Sequence, residues 1–421
     1  MRILFIHQNF PGQFVHLAHA LKKLGHDVRA VTDAANKQPK VIPTRTYGSD
    51  GRANAARQAP ALLRNVTDCT LRGTAVAQEL TALRDEGFVP DLVIGHPGWG
   101  ETLFVKDVFA RTRLIVLSEY YHNADGADAD FDPEFAALDA QRRYRLRMRN
   151  ATTLLALASA DAAVTPTRWQ AGRFPPEIRR KIAVIHEGID TDAVAPGSRA
   201  SLKFARETMT LRAGQEIITF ASRNLEPYRG YHIFMRALPE ILRARPEAHA
   251  VIVGGDGVSY GSAPGRGRTW KKVFLDEVRD QLPMDRIHFV GRLKREHFIK
   301  LLQISSAHVY LTYPFILSWS MLEAMSAGAL VVGSRTPPVE EVITDRIDGA
   351  LVDFFDHRAL AATVIEANAH PGEFLAIREA ARAKIVSQYD LRRRALPLWL
   401  NLIEKVTGAK LLPPQAGRTR H

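Results

Sequence analysis

Residues 306–332, SAHVYLTYPFILSWSMLEAMSAGALVV, decide the fold that we expect for this chain. The stretch opens with an apolar run that ends at Tyr313-Pro314-Phe315, which predicts a buried parallel strand stopped by proline. A short polar loop then leads into a helix at residues 321–325, which Gly328 ends, and a second strand follows. Because the first amides of a helix lack intrahelical partners and the helix dipole is positive there, this corner suits a phosphate.

The loop and the start of this helix supply the first candidate ligand-binding groups. The backbone amides that could contact a phosphate belong to Leu317, Ser318, Trp319, Ser320 and Met321. We place Glu323 in the first helical turn, where its carboxylate could reach the hydroxyls of a ribose attached to that phosphate. An ordinary buried corner with a carboxylate near a helix N-terminus has the same pattern, so the remaining motifs have to decide between the two interpretations.

Length and composition indicate a globular protein with two domains. The chain has 421 residues, of which 46% are hydrophobic, and no apolar run approaches the roughly 20 residues of a membrane-spanning helix. The N-terminus looks like a first strand and not like a signal peptide. The single cysteine, Cys69, excludes an internal disulfide framework and a cysteine metal cluster, and it fits a reducing cytoplasm.

The formal net charge of +12 favours anionic ligands or surfaces. An acidic membrane face would suit it, although a solvated basic surface is the commoner explanation. Five arginines between residues 142 and 149 are spread around a helix that we predict from about Pro133 to Ser159, and no recognised nucleic-acid motif accompanies them. The acidic loop at 123–134 invites a calcium interpretation, but it lacks the EF-hand spacing, and we favour a mobile loop at the mouth of a ligand site.

The first half of the chain predicts a doubly wound sheet with polar residues after its strands. Strand, turn and helix alternate from Ile3 onward, and the first turn carries only Gly12, which disfavours a nicotinamide enzyme but lets backbone approach a ligand. In open α/β sheets, ligands bind beyond the carboxyl ends of the strands. His96, Trp99 and Glu101 follow the strand at 91–95, and Glu119 follows the strand at 113–117.

The second half repeats the pattern and adds arginines. Arg223 and Arg229 lie six positions apart in a loop that opens a helix, where their planar guanidinium groups could bind a diphosphate from two sides. Arg292 follows a strand at 287–291, and a glycine-rich, basic loop at 254–272 could either cover a nucleotide or be disordered.

These motifs together resemble the signature of glycosyltransferase family 4, most strongly over residues 216–355. The resemblance implies the GT-B fold and a retaining enzyme that uses nucleotide-sugar donors without an obligatory metal. It implies that Glu323 binds ribose, that Arg223 and Arg229 stabilise the diphosphate, and that His96 lies beside the donor sugar. Gly12 would face the donor phosphate, and the segment that ends at Arg292 would contact the base. Phe315 stands eight positions before Glu323, where the family carries a second acidic residue.

The fold class that follows is α/β, with two Rossmann-like, doubly wound domains facing each other across a cleft. We expect residues 1–197 to form an acceptor-binding domain and residues 198–388 to form a domain that binds the nucleotide sugar. The terminal helix at 389–412 would pack back on the first domain, and residues 413–421 would form a flexible tail. On the acceptor side we expect Trp99, Glu101 and Glu119.

The expected function is retaining transfer of a sugar from a nucleoside-diphosphate sugar to a hydroxyl acceptor, which could be a glycan, a lipid-linked glycan or a small molecule. The catalytic candidates are His96, Arg223 and Arg229, and we expect no metal. Two alternatives remain: a nucleotide-sugar epimerase of the same fold, and a non-catalytic, GT-B-like binding subunit, which Phe315 favours. We expect a cytoplasmic protein with peripheral contact to an anionic membrane as an option, and no nucleic-acid partner.

Overall fold

The computed structural model describes residues 1–48, 51–135, 138–203 and 210–411 and divides into two compact units. The N-terminal unit comprises Met1–Asp130, Ala137–Gly188 and Leu391–His421, and the C-terminal unit comprises Phe131–Ala136 and Ile189–Asp390. The sequence did not predict that a short segment after Asp130 belongs to the C-terminal unit. The tail that we expected at 413–421 lies outside the described residues.

The N-terminal unit contains a sheet of seven parallel strands in the order β3-β2-β1-β4-β5-β6-β7. The strands are β1 (Arg2–Ile6), β2 (Asp27–Asp33), β3 (Thr44–Tyr47), β4 (Leu92–Gly95), β5 (Arg113–Leu117), β6 (Ala162–Thr165) and β7 (Ile182–Val184). Their apolar runs are buried because helices cover both faces of the sheet. In this register Ile6 pairs with Gly95 and Gly95 pairs with Val116, so the residues after β1, β4 and β5 share one edge.

In the described residues up to Gly188, seven α-helices accompany this sheet. They are α1 (Val15–Lys23), α2 (Arg52–Gln58), α3 (Arg64–Asp85), α4 (Val105–Val108), α5 (Ala140–Ser159), α6 (Arg168–Gly172) and α7 (Pro176–Arg179). The sequence predicted that α5 would begin near Pro133, which is wrong. The helix begins at Ala140, because Asp139 caps it by accepting a hydrogen bond from the Arg142 amide at 2.6 Å.

The C-terminal unit contains six parallel strands in the order β12-β11-β10-β13-β14-β15 and a separate hairpin, β8-β9. The strands are β8 (Ser201–Lys203), β9 (Thr210–Arg212), β10 (Ile217–Asn224), β11 (His249–Gly255), β12 (Ile287–Gly291), β13 (Ala307–Tyr310), β14 (Leu330–Ser334) and β15 (Ala350–Val352). We predicted that β13 would run to Tyr313, but it ends at Tyr310. The next amides leave the ladder: Thr312 donates to Ser334 Oγ and Tyr313 donates to the Tyr228 carbonyl.

Helices cover both faces of this second sheet, and one more helix completes the chain. They are α8 (Tyr231–Ala244), α9 (Trp270–Val278), α10 (Arg295–Ile304), α11 (Trp319–Ala327), α12 (Pro337–Glu340), α13 (His357–Ala369), α14 (Leu375–Lys384) and α15 (Leu396–Thr407). The terminal helix α15 lies in the N-terminal unit, where Trp399, Leu400 and Ile403 pack in one core with Phe14 and Leu17. None of the helices in the described part of the chain combines the length and the apolarity needed to cross a membrane.

Candidate active site

Arg229 of the C-terminal unit is a buried cation. It ends a short 3₁₀ turn, Pro227–Arg229, and Gly230 follows in the left-handed region with φ of 67°. A Cβ on Gly230 would lie 2.3 Å from Leu311 Cβ, so only glycine lets the turn pack here. The turn directs the Arg229 side chain inward, where it is 6% exposed and where Nη1 donates to Thr312 Oγ1 at 2.8 Å and lies 3.3 Å from the Tyr310 hydroxyl.

The partners of Arg229 are neutral. Its guanidinium carbon lies 5.2 Å from the ring centre of Tyr260 and 5.9 Å from that of Phe315. Among the described residues, no carboxylate lies within ion-pair distance of it. Burial disfavours the charged form, but Tyr310, Tyr260 and the Glu226 carboxylate, which lies beyond ion-pair distance, raise the pKa of Arg229. Hydroxyls, aromatic rings and this more distant carboxylate offset only part of the cost of burying a charge that has no ion-pair partner. The arrangement therefore leaves a cation that an anionic ligand would neutralise.

Tyr310 connects Arg229 with the loop before α11. Its hydroxyl lies beside Arg229 and accepts the amide hydrogen of Ser318 at 2.8 Å. Ser318 caps α11, because its Oγ accepts from the Ser320 amide at 3.3 Å, while the Met321 amide donates to the Ser318 carbonyl at 3.4 Å. Three of the five amides that we predicted to be open to a phosphate thus have partners in the described structure. A ligand would have to share or replace them.

Glu323 lies deeper in α11 than expected. Because the cap is Ser318, Glu323 is the fifth helical residue and lies in the second turn, so our placement in the first turn was wrong. The side chain is 3% exposed and forms an ion pair with Arg295, the first residue of α10, which the sequence did not single out. Burial raises the pKa of the Glu323 carboxyl, and Arg295 offsets only part of this effect.

Glu226 fixes the glycine-rich loop after β11. It is fully buried, and its carboxylate accepts the amide hydrogens of Ser259, Tyr260 and Gly261 at 3.0, 3.2 and 3.1 Å. Asn224 adds a hydrogen bond from Nδ2 to Ser259 Oγ at 2.7 Å. These contacts hold Tyr260 against Arg229. No local sequence pattern indicates these contacts, because the partners lie more than thirty positions apart.

The two remaining candidate arginines of this unit lie on its surface. Arg223 is near the end of β10 and is exposed, in contrast to Arg229. Arg292, which follows β12, is also exposed, and its Nη2 lies 3.4 Å from Asn224 Oδ1. Both side chains are therefore accessible to a ligand, whereas Arg229 is buried next to the rings of Tyr260 and Phe315.

His96, Glu119 and Gln13 form a hydrogen-bonded group in the N-terminal unit. The Gly98 amide donates to His96 Nδ1 at 3.1 Å, so this nitrogen carries no hydrogen and Nε2 carries it instead. Nε2 then donates to Glu119 Oε2 at 3.0 Å, while Gln13 Nε2 donates to Oε1 at 2.7 Å. Burial alone would raise the pKa of Glu119, but the hydrogen bonds from His96 and Gln13 outweigh it and hold the pKa below its usual range.

This geometry changes the role that we predicted for His96. Both ring nitrogens have partners within the unit, so His96 has no hydrogen left for a sugar hydroxyl. The Glu119 carboxylate, with 16% of its side chain exposed, is the accessible member of the pair. Trp99 stacks on the His96 ring at 4.3 Å between centroids and fixes its orientation.

Gly12 and His7 complete the strand-end group. The Asn9 amide donates to His7 Nδ1 at 3.0 Å, which again leaves the hydrogen on Nε2. Burial and the neighbouring His96 lower the pKa of His7 to about 3, so the ring is neutral. Gly12 has φ of 44°, and a Cβ there would lie 2.7 Å from His7 Cε1. Glycine is therefore needed for close packing on His7.

Glu101, a predicted acceptor-side residue, lies in a different buried group. It is 1% exposed, accepts from the Tyr47 hydroxyl at 3.0 Å and lies 3.6 Å from Arg72 Nη1. Asp33 shares Arg72, at 3.3 Å. Burial raises the pKa of Glu101, and the Arg72 charge offsets only part of that. The structure thus places the Glu101 carboxylate in a buried network with Tyr47 and Arg72, separate from the hydrogen bonds that join His96, Glu119 and Gln13.

The aspartates of the 123–134 loop have separate partners. The Asp125 carboxylate accepts two hydrogen bonds of 2.6 Å from the Arg143 guanidinium, and Asp128 accepts one of 2.7 Å from the Tyr120 hydroxyl. Asp130 accepts from the Gly126 amide at 3.0 Å. Asp132 belongs to the C-terminal unit. The aspartates of this loop therefore have an arginine, a tyrosine hydroxyl and a loop amide as separate partners and do not converge on one point.

Comparison with known proteins identifies the family. A model described as "Glycosyl transferase family 4 group" matches residues 24–194, and one described as "Glycosyl transferases group 1" matches residues 205–384. The chain belongs to the family 4 glycosyltransferases. The family prediction from the sequence is confirmed, and with it the assignment to a family of transferases.

Relatives of known function match only part of the chain. The D-inositol 3-phosphate glycosyltransferase of Mycolicibacterium smegmatis is 28% identical over 189 residues, which are 45% of this chain and 40% of that protein. The enzyme of the same name from Segniliparus rotundus is 23% identical over 265 residues, 62% of this chain and 56% of that protein. The chain thus matches less than two thirds of the length of either relative.

Solved structures match nearly the whole chain. Anabaena HepE in complex with UDP covers 96% of this chain and all of its own, with a TM-score of 0.65 and 16% identity. The sucrose-phosphate synthase of Thermosynechococcus elongatus covers 97% with a TM-score of 0.69 and 18% identity. At these identities the likeness establishes the fold. It confirms the predicted class of two Rossmann-like α/β domains of the GT-B type.

Proposed function

We propose that this protein is a retaining glycosyltransferase that moves a sugar from a nucleoside-diphosphate sugar to a hydroxyl acceptor. The observation that carries the proposal is Arg229, a buried guanidinium with neutral partners in the C-terminal unit. A diphosphate would supply the missing negative charge. Arg223 and Arg292, both exposed in the same unit, would add charge from the solvent side.

The ribose would bind at Glu323. In the structure this buried carboxylate already has a cationic partner, Arg295, whose side chain is 54% exposed. Glu323 would accept hydrogen bonds from the ribose hydroxyls. The exposed guanidinium of Arg295 can move away on binding, or it can stay and contact the nucleotide as well. Exchange of one partner for another avoids leaving the buried carboxylate unsatisfied.

The chemical step needs stabilisation of the leaving nucleotide. Departure of the diphosphate places negative charge on the β-phosphate, and a fixed guanidinium in a site of low dielectric stabilises that charge without reorganising. Thr312, Tyr310 and two aromatic rings hold Arg229 in one orientation, which is the pre-organisation that this role requires. The sugar meanwhile gains oxocarbenium character, and the acceptor attacks from the face that the nucleotide leaves.

We assign acceptor recognition to the N-terminal unit. There the Glu119 carboxylate is ionised and fixed by His96 and Gln13, and it is partly exposed. A carboxylate with free lone pairs is a good acceptor for sugar or polyol hydroxyls. Its lowered pKa makes it a binding group and counter-charge rather than a strong base.

The donor to test first is a uridine diphosphate sugar. HepE has been solved with UDP and with UDP-glucose, and these structures cover 96% of this chain. A metal is not part of the proposal, because Arg229 and the start of α11 provide the positive potential. The membrane contact expected from the net charge likewise remains a proposal.

The test is a thermal-shift panel of UDP, ADP, GDP, the corresponding monophosphates and the diphosphate sugars on the full chain, since a ligand that binds only the folded state raises the melting temperature. We expect one base to give a clear shift, larger for the diphosphate than for the monophosphate. Incubation with the matching nucleotide sugar and NMR of the products then separates the alternatives. Free nucleotide with a product that keeps the anomeric configuration of the donor supports the retaining transferase. An altered sugar still on its nucleotide supports an epimerase, and binding without turnover supports a non-catalytic subunit.

A further inference from the structure

Residues 131–135, which we call the docked segment, belong to the C-terminal unit although the sequence on both sides belongs to the N-terminal unit. Two phenylalanines anchor the segment. The Phe131 ring packs at 5.1 to 5.2 Å from the rings of Tyr313, Phe354 and Phe355. The Phe135 ring packs at 5.2 to 6.1 Å from those of His232, Trp270 and Phe274. Aromatic contacts of this kind stabilise beyond the area that they bury.

Between these anchors lies a buried carboxylate. Asp132 is 1% exposed, and its Oδ2 accepts from the Tyr313 hydroxyl at 2.6 Å and lies 3.2 Å from His232 Nε2. Its Oδ1 accepts from the Glu134 amide at 3.0 Å. Glu134 in turn forms two hydrogen bonds of 2.8 Å with Arg236 at the surface. Glu134 of the docked segment thus forms an exposed ion pair with Arg236, while Asp132 at the centre of the segment is hydrogen-bonded to Tyr313.

Tyr313 is directly connected to the Arg229 site. Its amide donates to the Tyr228 carbonyl at 3.0 Å, and its ring packs 4.6 Å from the Tyr228 ring, one residue before Arg229. The residue before Tyr313 is Thr312, whose hydroxyl accepts the hydrogen bond from Arg229. Asp132 therefore holds the same short stretch of chain that orients the buried guanidinium.

We propose that Asp132 is a positioning residue for the diphosphate site and acts through the Tyr313 hydroxyl. The inference rests on the proposed nucleotide-binding function and adds to it a residue from a distant part of the sequence. A hydrogen bond between a buried carboxylate and a phenol is charge-assisted and short, so it fixes Tyr313 more firmly than packing alone. With Tyr313 fixed, Thr312 and Tyr228 keep Arg229 ready for the diphosphate, and less ordering is needed on binding.

The test is calorimetric titration of the full chain with UDP, with ADP and GDP alongside. Tyr313→Phe removes the hydroxyl and keeps the ring, and Asp132→Ala removes the acceptor. We expect each to weaken nucleotide affinity about tenfold, the equivalent of one charge-assisted hydrogen bond, and the double variant to be no weaker than either single one. Asp132→Asn should recover most of the affinity, because an amide oxygen can still accept from Tyr313.

Glu134→Gln is the matched control. It weakens docking of the same segment at Arg236 but leaves the Asp132–Tyr313 contact intact, so its affinity should stay within about twofold of the wild type. If Tyr313→Phe, Asp132→Ala and their double variant lower the melting temperature but leave the affinity for nucleotide unchanged, or if Glu134→Gln weakens binding as much as Tyr313→Phe does, the positioning role is wrong. A wild-type chain that binds no nucleotide overturns the proposed function and this inference with it.

Discussion

The two units present opposite kinds of strand-end site on sheets of the same construction. In the C-terminal unit the group that we propose for the ligand is a buried guanidinium, Arg229, with hydroxyls and rings around it. In the N-terminal unit the charge is a carboxylate, Glu119, with a neutral histidine and an amide as its donors. A parallel sheet fixes where ligands bind, and the residues after its strands fix which ligand chemistry fits. One site suits a diphosphate and the other suits hydroxyls.

The largest expected effect comes from removing the cation of the first site. Arg229→Met should lower kcat/KM for nucleotide-sugar hydrolysis or transfer by about 10³, because the leaving diphosphate loses a pre-organised counter-charge. The melting temperature should change little, since the apolar side chain removes a buried charge that has no ion-pair partner but also removes its attraction to Glu226. Steady-state kinetics and thermal unfolding of the same sample measure both.

Arg223→Met is the companion variant for that experiment. Arg223 is exposed, so its loss should cost less, about 10- to 100-fold in kcat/KM. If Arg223→Met lowers kcat/KM more than Arg229→Met does, burial is not what makes Arg229 effective. The proposed contrast between the two sites would then be wrong.

The next effect concerns the carboxylate of the second site. Glu119→Gln keeps the shape but removes the charge, and we expect acceptor transfer to fall about 10²-fold while affinity for the nucleotide stays unchanged. Transfer assays on a panel of sugars and polyols, with calorimetry for the nucleotide, separate the two quantities. Asp161→Asn is the control, because Asp161 pairs with Lys106 and Arg113 before β6, at the other end of the sheet. A parallel loss of nucleotide affinity in Glu119→Gln would refute the division of labour.

A smaller effect follows from the partner of Glu323. Arg295→Gln leaves a buried carboxylate whose pKa is already raised by burial, so its pKa should rise further. We expect nucleotide affinity to weaken about three- to tenfold, and to weaken more at pH 6 than at pH 8 because the protonated form is populated sooner. Calorimetric titration at the two pH values measures this. Affinity that improves in the variant would show that Arg295 only blocks the ribose position.

The smallest effect tests the network around Glu101, which we place outside the site. Because burial raises its pKa, the folded state favours the protonated carboxyl, and stability is lost as pH rises from its usual value of 4.5 through the folded pKa. Glu101→Gln should remove that loss, so its melting temperature relative to the wild type should be higher at pH 8 than at pH 5. The turnover rate of Glu101→Gln should equal that of the wild type. A large drop in turnover would show that Glu101 takes part in acceptor binding, as the sequence predicted.

Local sequence patterns predicted the fold well. Apolar runs of strand length, the cap at Gly328 and the alternation of strands and helices are local signals, and they were enough for two doubly wound sheets. They were also enough to place Arg223, Arg229 and Glu323 in one unit. The failures lie at boundaries: β13 ends early because Thr312 and Tyr313 bond elsewhere, and Glu323 shifts by a turn because Ser318 and not a later residue caps α11.

Contacts between residues that lie far apart along the chain could not be predicted from local sequence patterns. Nothing near Arg229 shows that it would be buried while Arg223 is exposed. The ion pair between Glu323 and Arg295 joins residues that are 28 positions apart. The hydrogen bonds between Glu226 and the loop at 259–261 join residues that are even further apart. The tautomer of His96 is a partial exception. His7, His96 and His186 all follow strands, and each accepts at Nδ1 an amide hydrogen from two residues on, which makes this spacing a readable signal.

The central claim is that Arg229 is the cation that binds the second phosphate of the donor. Its most direct test is the affinity of the wild type and of Arg229→Met for UDP and UMP, or for the corresponding pair if another base is preferred. We predict that the wild type binds the diphosphate at least tenfold more tightly than the monophosphate, about 1.4 kcal/mol, and that the variant binds both with equal, weak affinity. A variant that keeps the full preference for the diphosphate would contradict the account.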